Sequence, residues 1–232
     1  MVAPDVFGYT LPNTRLLADK FAESCSAICV VPDTFLGSEP PATLMDHLEL
    51  VMGQAKVGFF KYMYSLFTLI YWLPGFLIRN PNTPTGRSFR RIETVIRHYR
   101  TSGGISKVGV SGYCYGGKQA VLLAQRNDLV DVIAANHPGG LKIPQDILPI
   151  SKPAAFILTP DKDMELKHKE MDLISKTLAE KGERYEHIVK GYADMQHGFA
   201  VRGGNKDPVV VSNRENAFQI VSDFFRKILS LA

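Results

Sequence analysis

The sequence predicts an α/β fold in which a mainly parallel sheet is covered by helices on both faces. Two observations support this fold class. Short, continuous apolar runs alternate along the chain with longer segments whose apolar residues recur at helical spacing. Runs of this length are typical of strands that are buried on both faces of a parallel sheet. The 232 residues contain no internal repeat, so residues 1–232 are expected to form a single domain.

The candidate strands and helices follow one another in a nearly strict order. Five apolar runs predict strands, at residues 27–31, 106–110, 132–135, 154–158 and 185–189. Helical spacing predicts helices at residues 14–25, 42–53 continuing toward 73, 88–101, 116–126, 166–181 and 213–229. The alternation of the two kinds of segment is what predicts the parallel sheet.

One apolar segment, residues 59–78 (FFKYMYSLFTLIYWLPGFLI), has about the length of a membrane span. Lys61 lies inside it, and Pro74-Gly75 is expected to break the helix after roughly 15 residues, fewer than a span needs. We therefore interpret residues of about 54–86 as an apolar helical excursion that forms a lid. A membrane span and peripheral contact with a membrane are the alternatives.

Composition limits the partners and the compartment. The net charge is +4 with an isoelectric point near 8.9, but the basic residues are interspersed with acidic ones, so nucleic acid is not expected as a partner. Three scattered cysteines without metal-ligand spacing indicate a reducing compartment, and predict no metal. The N-terminal sequence resembles neither a secretory signal nor a transit peptide, so a cytoplasmic location is expected.

The most informative motif is Gly112-Tyr-Cys114-Tyr-Gly116-Gly117, which lies between a predicted strand and a predicted helix. Gly-x-Cys-x-Gly is the pattern of a nucleophile elbow with cysteine in the serine position. Such a tight turn requires almost no side chain two residues before and two residues after the nucleophile. The start of the following helix favours a thiolate, so Cys114 is the candidate nucleophile.

Two other interpretations of this motif stay open. The stretch from Gly112 to Lys118 also fits Gly-x-x-x-x-Gly-Lys, a phosphate-binding loop, although Gln119 replaces the Ser or Thr that would hold magnesium. The motif is also compatible with a glycine-rich turn that holds an inert, buried cysteine.

A cysteine nucleophile needs a base and an acid, which in this kind of fold follow it in the order acid, then histidine. Asp161 and Asp163 follow the predicted strand 154–158, and we prefer Asp163, with Asp161 as the alternative. His197 lies in a glycine-flanked loop before the last helix and is the candidate base. His137 lies in the sequence Asn-His-Pro-Gly-Gly. We expect it to have a structural role in a turn, and the alternative is that it lines the binding crevice.

These residues resemble the dienelactone hydrolase family. The similarity includes Gly112 to Gly117, Asp163 after a strand, His197-Gly-Phe, and the N-terminal Asp5-Val6-Phe7-Gly8. It implies an α/β-hydrolase fold and cofactor-free hydrolysis of lactones or related esters. It also implies that the backbone N–H groups of Val6 and Tyr115 form an oxyanion hole.

The same resemblance suggests which residues bind the substrate. Asp5 takes the place of a glutamate of the family, and Arg202 is similar to an arginine that grips acidic substrates. Tyr113, inside the motif, is the third candidate. Only four residues precede Asp5, so the N-terminal strands of the sheet are expected to be shortened or missing.

The sequence thus predicts a hydrolase of small-molecule lactones or other carboxylic esters. Cys114, His197 and Asp163 would act through an acyl-thioester, without a cofactor. The alternatives are a binding module of the same fold that has lost turnover and, with less support, a nucleotide-binding protein.

Overall fold

The sheet is parallel throughout and its strands follow one another in chain order. A computed structural model describes residues 1–51, 57–202 and 207–231. In these residues the sheet has five strands in the order β1-β2-β3-β4-β5, and each neighbouring pair is parallel. The strands are β1 (Val2–Ala3), β2 (Gly109–Tyr113), β3 (Val132–Asn136), β4 (Ala154–Leu158) and β5 (His187–Gly191).

Seven helices connect or flank these strands in the described residues. They are α1 (Pro12–Ser24), α2 (Leu44–Val51), α3 (Phe59–Arg79), α4 (Arg87–Thr101), α5 (Tyr115–Ala124), α6 (His168–Ala179) and α7 (Pro208–Leu229). Because parallel strands need long connections, helices lie between most of them. The structure is therefore an α/β fold with a parallel sheet, as the sequence predicts.

Alternate residues of the strands feed two separate hydrophobic cores. Val110, Ile133 and Phe156 pack on one face of the sheet against α4, α5 and α6. Ala134 and Ile157 pack on the other face against α1 and α7. Nearly every residue of β2, β3 and β4 is buried, which explains why their sequences are continuously apolar. The prediction of helices on both faces is confirmed.

The predicted strand at residues 27–31 is wrong. These residues belong to no strand, and their contact with the sheet is a hydrogen bond from the Val2 N–H to the Val30 carbonyl, 2.9 Å long. The short strand β1 takes the position beside β2, where Val2 pairs with Ser111. An apolar run predicts burial but does not decide which of two neighbouring segments joins the sheet.

The predicted break at Pro74-Gly75 is also wrong, since α3 continues through both residues to Arg79. A proline removes the hydrogen bond to the carbonyl four residues earlier, here that of Ile70. Ile70 and Pro74 are both solvent-exposed, so water can bond the freed carbonyl. Within the three described stretches, no helix is sufficiently long and apolar for a membrane crossing.

We predict that Gly116→Ala destabilises the protein by about 3 kcal/mol, the upper range for overpacking. A Cβ on Gly116 would lie 2.1 Å from the carbonyl oxygen of Ala3, a backbone atom that cannot rotate away. Gly75→Ala is the matched control: its Cβ meets nothing within 4 Å, and alanine in a helix should stabilise by about 0.5–1 kcal/mol. Urea unfolding followed by circular dichroism measures both, and equal stability of the two variants would contradict this packing.

Candidate active site

The candidate site lies at the carboxyl edge of the sheet, where loops from all five strands meet. Asp5 follows β1, Cys114 follows β2, His137 follows β3, Asp163 follows β4 and His197 follows β5. In open parallel sheets this edge is the usual position of binding and catalytic groups.

Cys114 occupies a strained turn between β2 and α5. Its backbone has φ 51° and ψ −110°, and positive φ is uncommon for residues other than glycine. Its N–H donates to the Asn136 carbonyl at 3.0 Å, and its own carbonyl accepts from the Gly117 and Gly139 N–H groups at 3.0 and 3.1 Å. A Cβ on Gly112 would lie 2.0 Å from the Gly116 carbonyl oxygen, so this position requires glycine. The turn has the geometry of a nucleophile elbow.

Asp163 is hydrogen-bonded to His197. The Nδ1 atom of His197 lies 2.7 Å from Oδ2 of Asp163, and both side chains are buried. The other carboxylate oxygen accepts from the backbone N–H groups of Glu165 and Leu166 at 2.9 and 3.2 Å. These bonds fix the carboxylate, which in turn fixes the ring and leaves Nε2 for another partner.

Asp161, the alternative acid, lies in a different environment. Its carboxylate is 2.6 Å from Nε2 of His168 and accepts from the Asp194 N–H at 3.0 Å. These partners are exposed. The structure therefore brings Asp163, and not Asp161, to His197.

The sulfur of Cys114 and the ring of His197 face the same small volume. A Cβ on Gly139 would lie 3.9 Å from the sulfur and 4.0 Å from Cε1 of the ring. Burial alone would raise the pKa of Cys114, but the charge and side-chain hydrogen bond of His197 outweigh it and lower that pKa. Burial likewise opposes the charged His197, yet the thiolate and Asp163 raise its pKa to about 10. Both shifts favour a thiolate on Cys114 beside an imidazolium on His197.

Asp5 and Arg202 form a buried ion pair beside this sulfur. Nε of Arg202 lies 2.7 Å from Oδ2 of Asp5, and both side chains are almost fully buried. Oδ1 of Asp5 accepts from the Phe7 N–H at 3.0 Å, and the guanidinium lies 5.6 Å from the centre of the Phe7 ring. The charge of Arg202 lowers the pKa of Cys114, and that of Asp5 raises it.

The two N–H groups expected to form an oxyanion hole find no acceptor in the part of the chain that the structure describes. Val6 lies in the loop after β1, and Tyr115 is the first residue of α5, where N–H groups lack a helical partner. Among the described residues, neither N–H donates a hydrogen bond. Both donors are therefore available to a bound molecule.

His137 was ranked low from the sequence, but it packs directly against His197. The two ring centres are 5.0 Å apart, and Phe199 and Tyr113 lie at 6.1 and 6.0 Å from His137. Its ring nitrogens have no hydrogen-bond partner in the described part of the chain. Burial first, and then the charges of His197 and Arg202, hold the pKa of His137 well below its usual value, so the ring is neutral. The only signal in the sequence was its position directly after a strand.

Tyr113, expected to bind substrate, is buried in the core on the α1 and α7 face of the sheet. Its hydroxyl accepts from Ser111 Oγ at 3.1 Å. These contacts favour a packing role over contact with substrate.

Lys118 does not occupy the position of a phosphate-binding lysine. Its ammonium bonds the carbonyl of Gly140 and lies 3.8 Å from Asp146. Across residues 1–51, 57–202 and 207–231, no cluster of three His, Cys, Asp or Glu side chains could hold a metal ion. The surroundings of the glycine-rich turn therefore favour the elbow over the phosphate loop.

The parallel sheet, the strained elbow and the loops at its carboxyl edge define a hydrolase of the α/β type. Residues 78–229 match the dienelactone hydrolase family, which is more than half of the chain. The chain belongs to the dienelactone hydrolase family, and by class it is a carboxylic ester hydrolase.

Relatives of known name match over most of the chain. Hydrolase pyvD from Aspergillus violaceofuscus is 28% identical over 201 residues, which cover 85% of this chain and 68% of that protein. The human carboxymethylenebutenolidase homolog is 26% identical over 202 residues, which cover 87% of this chain and 70% of that protein.

Solved structures show the same fold. The dienelactone hydrolase-like promiscuous phosphotriesterase P91 from metagenomic libraries superposes with a TM-score of 0.60 at 16% identity, covering 98% of this chain and 84% of that one. Dienelactone hydrolase from Anabaena variabilis gives a TM-score of 0.51 at 14% identity, covering 100% of this chain and 86% of that one. At such low identity the likeness concerns the fold alone.

We predict that iodoacetamide labels Cys114 selectively at neutral pH. Its lowered pKa keeps the thiolate populated below the ordinary thiol value of 9.0, whereas burial raises the pKa of Cys25 and of Cys29. His197→Ala removes the main stabilising charge, so the labelling rate of Cys114 at pH 7 should fall at least about tenfold. Peptide mapping by mass spectrometry measures all three cysteines in one digest. Equal labelling of the three thiols at pH 7 would contradict the ion pair.

Proposed function

We propose that this protein hydrolyses a lactone or other carboxylic ester with Cys114 as nucleophile, His197 as acid and base, and Asp163 as the orienting carboxylate. The observation that carries the proposal is the 2.7 Å contact between His197 and Asp163, in a site where the ring also faces the Cys114 sulfur. Five relatives, the human and mouse proteins among them, are named carboxymethylenebutenolidase homolog, and a butenolide is a lactone, which supports the same bond type.

The reaction follows from the charges of the site. The Cys114 thiolate attacks the acyl carbon, and the oxygen that becomes negative accepts from the N–H groups of Val6 and Tyr115. The carbon–oxygen bond breaks, and the leaving alkoxide takes the proton from Nε2 of His197. An acyl-thioester on Cys114 remains. Water then gives its proton to His197 and attacks the thioester, which releases the acid and restores the thiolate.

Asp163 acts through His197. Its carboxylate accepts the Nδ1 proton, which directs Nε2 toward the sulfur and stabilises the imidazolium. The ionised carboxylate is supported by the bond to His197 and by two backbone donors, which outweigh burial and lower the pKa of Asp163.

We assign Asp5 and Arg202 to substrate binding. Their ion pair is buried next to the sulfur, so a carboxylate on the substrate would compete with Asp5 for the guanidinium. An acidic group near the scissile bond is therefore part of the proposed substrate.

A lid over the site, at about 54–86, is the remaining part of the proposal; residues 54–56 lie outside the described residues. Leu69 of α3 packs with Phe7 and Val6, and Phe76 of α3 packs with Tyr115. Apolar side chains of α3 thus pack against both residues that supply the proposed oxyanion donors, which favours a substrate with an apolar portion. We also propose that residues 1–232 form a single domain and that the protein acts in the cytoplasm.

We predict that Cys114→Ala, His197→Ala and Asp163→Asn each lower kcat/KM for an activated aryl ester by at least about a thousandfold, as when members of a catalytic triad are removed. Asp161→Asn is the matched control, because this carboxylate contacts His168 at the surface and should leave the rate unchanged. Steady-state kinetics with a chromogenic ester checks all four variants. Wild-type rates in the first three would refute the proposed triad, and an absence of turnover in the wild type would leave only a binding module of this fold.

We also predict an acyl adduct on Cys114. A lactone panel mixed with the enzyme and quenched in acid should add the mass of the substrate to one thiol, because a thioester survives at low pH while its hydrolysis needs the neutral imidazole. Intact-mass measurement with peptide mapping identifies the site, and Cys114→Ala should show no adduct. Turnover of the panel with mass added only to Cys25 or Cys29 would contradict the proposed intermediate.

A further inference from the structure

Helix α3 exposes an apolar face that no described part of the chain covers. Phe60 is 87% exposed, and Tyr71 and Ile78 are each 81% exposed. Tyr64, Phe67 and Ile70 on the same helix are also more than half exposed. Large apolar side chains that are exposed together in this way mark an interaction surface. We call this surface, formed by Phe60, Tyr64, Phe67, Tyr71 and Ile78, the aromatic ridge.

The ridge runs along one side of the helix. At 100° per residue, its five side chains fall within about 40° of a single line. Ser65, Leu69 and Phe76 lie on the opposite side and are buried against the protein. Lys61 and Arg79, at the two ends of α3, lie about 100° from the ridge line, at the border of the apolar face. A helix with an apolar outer face, cations at its border and aromatic rings between them fits the interface of a lipid bilayer.

The segment of the chain that carries the ridge contains basic residues and no acidic residue. Residues 57–92 contain five basic residues, Lys61, Arg79, Arg87, Arg90 and Arg91, and no acidic residue. Among the residues the structure describes, Lys61, Arg79, Arg87 and Arg90 are exposed and form no ion pair. Exposed cations beside an apolar surface attract anionic lipid headgroups.

We infer that the aromatic ridge of α3 docks onto an anionic lipid surface, with Lys61 and Arg79 in the headgroup layer. The helix would lie in the plane of the interface and not cross it, because its opposite side remains packed on the protein.

A second copy of this chain is the other occupant that an apolar face could take. Pairing two ridges would bring Lys61 and Arg79 of each copy to the border of one interface, and α3 itself carries no acidic residue to pair with them. Like charges across an interface oppose association, whereas an anionic surface complements them. The charge pattern therefore favours lipid.

Docking would place the lipid surface next to the active site. The buried side of α3 contacts Phe7, Val6 and Tyr115, and the backbone N–H groups of the last two are proposed to hold the oxyanion. One helix would then separate the lipid surface from the site. The docking itself rests on the exposed face and its charges, and not on the proposed hydrolysis.

The single tryptophan of the chain provides a direct test. Trp72 lies on α3 and is 42% exposed, so its fluorescence reports on this helix alone. Phosphatidylcholine vesicles that contain phosphatidylglycerol should shift the emission of Trp72 to shorter wavelength, and brominated lipids should quench it. The response should weaken with added salt, because headgroup attraction is screened.

Matched variants separate the ridge from general hydrophobicity. Phe60→Ser with Tyr71→Ser should weaken vesicle binding at least about tenfold, since two large apolar side chains no longer enter the interface. Met164→Ser with Val209→Ser removes two side chains that are 71% and 60% exposed elsewhere and should bind as the wild type. Lys61→Gln with Arg79→Gln should reduce the preference for phosphatidylglycerol. All four sites of the two serine variants are exposed, and circular dichroism confirms that each variant is folded.

Three results would overturn the inference. The first is wild-type protein that does not co-sediment with vesicles containing phosphatidylglycerol. The second is equal binding of the ridge variant and the control variant, and the third is equal binding to vesicles with and without phosphatidylglycerol. A dimer in light scattering that is lost in the ridge variant, without any vesicle response, would assign the ridge to a second copy. Ester hydrolysis is measured separately, so either proposal can fail alone.

Discussion

The close approach of β1 to the start of α5 is the constraint on which the site depends. The chain leaves β2, turns through Cys114 and enters α5 so tightly that Gly116 lies against the backbone of Ala3. This contact lies where β1, paired with β2, leads into the loop that carries Asp5. At the same corner Cys114 adopts a positive φ, which is strained for a residue with a side chain. The N-terminal loop and the strained elbow therefore meet at one tightly packed corner of the sheet.

The site collects five ionisable groups whose charges alternate in sign. The sulfur of Cys114 has the cations His197 and Arg202 near it, which lower its pKa, and each of these cations has a carboxylate partner, Asp163 and Asp5. Burial makes every one of these charges costly alone, so the groups are stable only as a set. His137 is the neutral exception, because a third cation would have no partner there. The low polarity of the site makes these charges costly to bury. It also strengthens their electrostatic interaction with a bound ester.

Apolar pattern and local chemistry predicted most of the fold. Strand β4 falls at the predicted residues 154–158, and β3 and α4 differ from their predictions by one residue at one end. The errors have a common cause. Residues 27–31 have the composition of a strand but meet the sheet where β1 already pairs with β2. Pro74 carries the signal of a helix break, but its freed carbonyl partner faces water and α3 continues. The composition of a segment does not show which other segment will pair with the sheet, or which side of a helix will face solvent.

The sequence by itself determined the elbow, the candidate nucleophile and the order in which acid and histidine follow it, because a glycine requirement and the order of loops are local properties of the chain. Only the tertiary structure decided that Asp163 and not Asp161 meets His197, that Arg202 pairs with Asp5, and that His137 packs on the candidate base. Most of these contacts join residues that are far apart in the chain. Asp161 and Asp163 both follow β4, so their order in the chain does not show which of them meets His197. They depend on distances and burial, which arise when the strands align and the loops close over their carboxyl ends.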